Sequence, residues 1–312
     1  MGREGGGLEG LSTATQTPEG RGTSPTRKRP GWARLMTWVG VLPFFAFITL
    51  FLLLPAVRLV VGAFQDEAGG FTAENVRSLF EAQFLGAFWT SISLSALTAV
   101  LGGVFGGLLA YAALTGGTPR WVRPVLSTFS GVAANFGGVP LTFAFIATLG
   151  TTGLVTQFLS ETVGLDLYDR GFSLFTFTGL AIIYLYFQIP LMVLIIAPAI
   201  DGLRREWKEA ASNLGASSAQ YWRYVGIPIL MPSILGAMVL LFANAFAAYA
   251  TPYALTSGSV GVVPVLIGQF VRGDVLANPG QGYALAFGMI VVVAVSTALY
   301  SLLQRRAARW TR

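Results

Sequence analysis

The residues whose types and spacing can do chemical work lie between Glu206 and Pro228, and the work is recognition, not bond making. In Glu206-Trp207-Lys208-Glu209-Ala210-Ala211-Ser212-Asn213-Leu214, the residues Trp207, Ala210, Ala211 and Leu214 fall at i, i+3, i+4 and i+7, one apolar stripe on a short helix. Lys208, Glu209, Ser212 and Asn213 face elsewhere. Gly215 stands where a helix needs positive φ to stop, and Ser217-Ser218-Ala219-Gln220 has the spacing of a capping box that opens a second helix. The pattern is a helix, a sharp corner and another helix. Alanines on the stripe let another surface approach more closely than leucines would.

Catalysis is argued against by the residue types that are missing. With Cys 0 and His 0, the chain has no thiol nucleophile, no imidazole base, no His or Cys zinc site and no disulfide. Its lysines are Lys28 and Lys208, and neither follows a glycine, so there is no Gly-Lys of a phosphate-cradling loop. Ser with Lys, or paired carboxylates, remain for hydrolysis, and neither is placed inside an apolar stretch.

The elements that must position the loop follow from composition. Only 11% of the residues are charged while 54% are apolar, against roughly 25% charged in a soluble domain. The chain is a membrane protein. A helix needs about 20 apolar residues to cross the hydrocarbon core, and six stretches qualify: 35 to 64, 85 to 114, 124 to 149, 173 to 200, 229 to 257 and 282 to 304. None contains Asp or Glu, and the ionisable residue among them, Arg58, is near enough to an end to snorkel to the interface. Six spans put both termini on one side.

Of the 20 Lys and Arg, 16 lie in the N-terminal tail, the 115 to 123 loop, the 201 to 228 loop and the C-terminal end; the others are Arg58, Arg77, Arg170 and Arg272. The positive-inside rule makes that set cytoplasmic, termini included. The opposite side holds eight of the 14 acids: Asp66, Glu67, Glu74, Glu81, Glu161, Asp166, Asp169 and Asp274. This partition accounts for the pI near 9.8 without a nucleic-acid partner. Residues 1–33, rich in Gly, Ser, Thr, Pro and Arg, read as a disordered basic tail. Residues 34–312 form the transmembrane domain. The first apolar run begins near Leu35, too late for a cleaved signal peptide, and is expected to stay as an anchor.

Within the spans, Gly102, Gly103, Gly106 and Gly107 make two overlapping GxxxG registers that allow close helix approach. Pro140, Pro190, Pro198 and Pro252 each remove a backbone donor, as static kinks or as hinges. Outside them, Phe71 to Phe80 predicts a surface helix capped by Thr72, with Val76, Leu79, Phe80 and Phe84 on one face.

Glu209-Ala210-Ala211, three residues, Gly215, nine residues, then Val225-Gly226-Ile227-Pro228 resembles the EAA loop, EAA-x3-G-x9-I-x-L-P, of the membrane subunits of binding-protein-dependent ABC importers. Val for Ile and Ile for Leu are the departures. The resemblance covers about residues 35 to 312 and implies an all-α type I importer fold of six transmembrane helices in a bacterial-type inner membrane. It implies that the loop is a coupling helix docking on a cytoplasmic ATPase subunit. Glu209 would pair with a basic group there, or, on the alternative reading, remain a solvated helix charge. Ala210 and Ala211 would pack in a groove, Gly215 would make the turn, and Leu214 and Pro228 would belong to the same ATPase-coupling set. The implied partners are two ATPase subunits that bind ATP and Mg, a second permease chain, different in preference to identical, and an extracytoplasmic solute-binding protein; no cofactor belongs to this chain. The segments 71 to 80 and 263 to 270 loosely resemble polyamine-type permeases.

A solute path through the spans can draw on Asn135, Tyr186, Gln188, Asn244 and Tyr249, with Gln157, Tyr184 and Tyr253 as further candidates, although interhelical bonding or packing explains each equally well. All are uncharged, so a polyamine is not demanded and an anion is not excluded. The competing classes are a secondary transporter or channel subunit and a membrane enzyme. A proton-coupled carrier usually needs an intramembrane Asp, Glu or His, and the spans have none.

Overall fold

The computed structural model describes residues 41–66, 68–115, 117–271 and 279–309. The tail 1–33 with Lys28, and Glu67, Arg272 and Asp274, lie outside the described residues. The chain divides after Leu54 into two compact units.

The helices in chain order are α1 (Val41–Ala63), α2 (Glu74–Ser78), α3 (Ala82–Thr115) and α4 (Val122–Asn135). Next come α5 (Gly138–Leu149), α6 (Leu154–Phe158, prolonged by a π-turn to Val163), α7 (Phe177–Asp201) and α8 (Arg205–Asn213). The last are α9 (Ser218–Tyr221), α10 (Ile227–Phe246), α11 (Ala250–Thr256), α12 (Val263–Val271) and α13 (Pro279–Arg309). No sheet forms among the described residues; one isolated bridge joins Gln65 to Phe71. Among the described residues, six helical runs are long and apolar enough to cross a bilayer: Val41–Ala63, Ala82–Thr115, Gly138–Val163, Phe177–Asp201, Ser218–Phe246 and Pro279–Leu302. The all-α, six-span architecture read from the sequence is the architecture observed.

In the larger unit α3, α7 and α10 pack on one another, α4 lies against α7, and α13 meets α10 and α12. Glycines allow the closest of these approaches. A Cβ on Gly102 would stand 2.8 Å from the Gln188 Cβ, and one on Gly106 would stand 2.6 Å from the Ile189 carbonyl oxygen. One GxxxG register thus faces α7. The other divides, since Gly103 abuts Met238 of α10 while a Cβ on Gly107 would make ordinary contact with Met192.

Two of the expected spans are not continuous helices. The stretch 124 to 149 is split between α4 and α5, and 229 to 257 between α10 and α11. A proline stands just past each break. Its ring collides with the carbonyl four residues back, and for Pro140 and Pro252 those residues, Phe136 and Ala248, lie inside the two breaks. Gly137 and Gly138 add about 1 kcal/mol each against helix. Pro190 and Pro198, by contrast, sit within an unbroken α7.

The surface helix is shorter than expected. Only Glu74–Ser78 is helical; Thr72 accepts the Glu74 N–H through its hydroxyl at 3.2 Å without being the residue that flanks the helix. Phe80 is 73% exposed, so it does not share the buried side of Phe84. The buried residue on α2 is Asn75, whose Nδ2 donates to the Gln65 carbonyl at 2.8 Å and which needs Gly280 of α13 to be a glycine, a Cβ there falling 2.6 Å from Nδ2.

Candidate functional site: a capped loop and two broken spans

The corner between Asn213 and Ser218 is built from local bonds. Gly215 has φ of +79°, its N–H donates to the Ser212 carbonyl at 2.9 Å, and the Ala216 N–H donates to the Ala211 carbonyl at 3.0 Å. These are the two bonds of a Schellman motif, which satisfies carbonyls that a helix end leaves unpaired. Nothing lies within 4 Å of a Cβ placed on Gly215, so backbone conformation alone selects glycine. Ser217 then caps the next helix: its Oγ accepts the Gln220 N–H at 3.3 Å while Gln220 Oε1 accepts the Ser217 N–H at 2.7 Å.

The second helix does not remain in the loop. It runs from Ser218 through a π-turn at Trp222–Gly226 into α10, so the fifth span starts about a dozen residues earlier than the sequence suggests. Pro228 lies just beyond that π-turn and is exposed on the surface of the chain. The residue four before it, Tyr224, is inside the π-turn, where the widened ladder accommodates the ring.

No residue of α8 is buried. Of its stripe, Trp207 and Ala211 are half-buried, Ala210 is exposed and Leu214 is 87% exposed. Glu209 is exposed beside them. The Arg204 guanidinium lies 5.9 Å from the Trp207 ring, within cation–π range. Nearby, Arg123 at the start of α4 forms an ion pair with Asp201 at the end of α7, tying two helix ends that are far apart in sequence.

The breaks in the third and fifth spans meet. Gly138, with φ of +69°, donates its N–H to Thr251 Oγ1 at 3.0 Å. The Thr142 hydroxyl lies 3.0 Å from the Gly138 carbonyl and 3.3 Å from that of Thr251, and both threonines are buried. Non-helical backbone within a membrane persists only where protein covers it or it lines a watery cavity. Three of the path candidates gather around these breaks. Asn135 ends α4, exposed, with its Nδ2 bonded to the Gly131 carbonyl at 2.8 Å. Tyr186 sets its ring edge-on to Phe136 and Phe145, at 6.5 and 5.8 Å. Tyr249, between α10 and α11, stacks on Tyr253 at 5.3 Å. Asn244 is exposed two residues before α10 ends.

Gln188 and Tyr184 are elsewhere. Gln188 is fully buried where α3, α7 and α10 meet, donating to the Leu241 carbonyl at 3.0 Å, and Tyr184 is buried beside Phe187. In this conformation both serve helix packing. Gln157 is exposed on α6. Sequence reasoning missed Thr251, Thr142 and Gly138; the Gly137-Gly138-x-Pro140 run, a helix-stopping combination inside an apolar stretch, was the available signal.

At one end of the larger unit, an open concavity of about 1310 Å³ is lined by the end of α1, the segment to Glu81 and the start of α13, including Arg58, Asp66, Arg77, Glu81 and Tyr283. Arg58 donates to Gln65 Oε1 at 3.1 Å, reaching past its helix end as a snorkelling arginine does.

The family described as "Binding-protein-dependent transport system inner membrane component" matches residues 103–309, more than half of the chain. The chain belongs to that family: it is a permease subunit of a type I ABC importer, a multi-pass inner-membrane transport component. It is 28% identical to a probable sulfate transport system permease protein of Nephroselmis olivacea over 76% of this chain and 79% of that one. It is 23% identical to a spermidine/putrescine transport system permease protein of Haemophilus influenzae over 82% of this chain and 90% of that one. A crystal structure of a bacterial ABC transporter involved in import of the acidic polysaccharide alginate has the same fold, with a TM-score of 0.70, 20% identity and coverage of 88% of this chain and 96% of that chain.

Proposed function

We propose that this chain forms half of a solute path, that α8 couples it to a cytoplasmic ATPase subunit, and that both chain termini are cytoplasmic. The observation that carries the coupling is the state of α8: a helix with an apolar stripe, a carboxylate beside it and no buried residue, held by a Schellman corner and a capping box. A stripe left unpartnered by its own chain is suited to a partner's groove, and Glu209 to a basic group at its rim. ATP and Mg belong to that partner.

One chain supplies one such loop, so two ATPase subunits call for a second permease chain, related but different in preference to a second copy. An extracytoplasmic binding protein delivers the solute. Sulfate and polyamine permeases are both among the relatives, and the path candidates Asn135, Tyr186, Asn244 and Tyr249 carry no charge, so a polyamine or another small solute is recognised chiefly by the binding protein. Melting the associated binding protein against sulfate, spermidine and putrescine separates these choices.

The coupling test is Glu209→Lys. It sets like charges together at a partly desolvated contact, where losing one partner of a pair costs about 2–5 kcal/mol. The expected result is a membrane-inserted chain that no longer captures the ATPase subunits on purification. Capture at the parent yield together with unchanged uptake would leave Glu209 a solvated charge and remove the proposal.

A further inference from the structure

Just past the corner, in the first turns of the fifth span, the chain builds a joint that neither the stripe nor the motif requires. The π-turn Trp222–Gly226 closes with the Ile227 N–H on the Trp222 carbonyl, and it folds the Trp222 indole over Gly226. A Cβ on Gly226 would stand 2.5 Å from Trp222 Cε3, so the stack requires glycine. The same indole meets Tyr111, near the end of α3, with centroids 4.6 Å apart and planes at 79°. It meets buried Tyr221 at 5.5 Å and 78°. It also packs against the buried cluster that joins residues of α3, α7 and α10, Ala110, Ile196 and Leu230 among them. One side chain therefore meets α3 through Tyr111 and the head of α10 through Gly226 together. On the other side of the joint α8 has no buried residue, and it meets the bundle through Leu203 at its start and through α9 at its end.

We infer that Trp222 is the positioning residue that passes displacement of the ATPase-docking loop into the membrane helices, through Tyr111 to α3 and through Gly226 to α10. The inference rests on the reading of α8 given under Proposed function. Its mechanical basis is that a π-turn carries an extra residue per turn and is a soft point in a helix. Left open, it would absorb movement arriving from α8. With the indole held edge-on by two perpendicular rings and face-on by Gly226, the turn is filled, and α9 and α10 move as one rod. The far end of that rod, Phe246, leads into the break where Thr251 holds Gly138. A tryptophan anchoring the loop to lipid headgroups would instead keep its ring turned outward, whereas this ring is half-buried against Tyr111, Tyr221 and Gly226.

The chain has no cysteine, so Ser233→Cys on α10, beyond the joint, and Ser160→Cys in the π-turn after α6 give a single spin-labelled pair in this chain. The distance between the labels is read in the whole complex, ATPase subunits included, in lipid nanodiscs with and without Mg·ATP and vanadate. The expected result is a nucleotide-driven change in the parent, its loss in Trp222→Ala with ATPase capture at the parent level, and its return in Trp222→Phe, which keeps an edge-to-face ring on Tyr111. No change in the parent would remove the reading of α8 itself. A parent-like change in Trp222→Ala would overturn the inference while leaving that reading intact, and so would a loss of ATPase capture in step with a loss of thermal stability. If Trp222→Ala does not assemble, Gly226→Ala and Tyr111→Leu, which displace the indole without deleting it, are each expected to abolish the change; its persistence in both overturns the inference.

Discussion

Gly138 and Thr251, 113 residues apart, are joined by a 3.0 Å hydrogen bond from the glycine N–H to the threonine hydroxyl. Gly138 opens α5, where the first backbone donors have no helical acceptor, and the side chain that serves it belongs to the first turn of α11. Each broken span thus satisfies part of what the other's break exposes. The two breaks are one structural element, fixed at the place where the path candidates collect.

Thr251→Val keeps the shape and removes the hydroxyl, leaving the half-buried Gly138 N–H with no acceptor. A cost of about 1–3 kcal/mol is expected, read as a lower melting temperature of the purified protein in detergent. Thr251→Ser, which retains the bond, should melt near the parent. Equal melting of Val and parent proteins would show that the bond does not hold the breaks together.

Gly106 and Gly107 separate close packing from simple helix content. Gly106→Ala drives a Cβ to 2.6 Å from the Ile189 carbonyl oxygen, a backbone atom that cannot swing aside, and overpacking of this kind costs about 1–3 kcal/mol. Gly107→Ala meets Met192 Cε at 3.6 Å, ordinary contact. It should be neutral or stabilising by up to about 1 kcal/mol through helix propensity. Similar melting of the two variants would mean that α3 and α7 are not in this register.

Gly215 lies in open space with φ of +79°, so substitution is charged only for conformation. Gly215→Ala should destabilise the corner by about 1–2 kcal/mol, and Gly215→Asn by less, because Asn tolerates the left-handed region. Amide exchange at Ala216, whose N–H bonds to Ala211, reports this directly and should accelerate about tenfold in the alanine variant. Exchange at the parent rate would show that the corner does not depend on glycine.

Sidedness follows from the partition of basic residues. In intact cells, a single cysteine placed at Ser217 should resist a membrane-impermeant thiol reagent, and one at Ser160 should react. Labelling of the Ser217→Cys chain from outside would invert the proposed orientation.

What could be read from residues alone was whatever depends on neighbours in sequence. The corner at Gly215 and the box at Ser217–Gln220 are local, since their bonds join residues within five positions of one another, and both are present as spacing predicts. Apolar length is also local, and it gave six spans. The π-turn at Trp222–Gly226 and the continuity of α9 with α10 were less legible, because a proline after an amphipathic loop reads as a boundary and here is absorbed by widening one turn.

Tertiary structure decided the rest. A soluble helix shows its buried side by a polar opposite face, but a membrane helix is apolar all round, so periodicity does not say which side meets protein and which meets lipid. Nothing in sequence distinguished Gln188, locked between three helices, from Tyr186 beside a break, or Gly106 from Gly107. Helix breaks at Pro140 and Pro252 but continuity at Pro190 and Pro198 have the same origin. A proline frees a carbonyl wherever it stands; whether the helix parts depends on which groups from distant segments, such as the Thr251 hydroxyl for the Gly138 N–H, are there to replace the lost bonds.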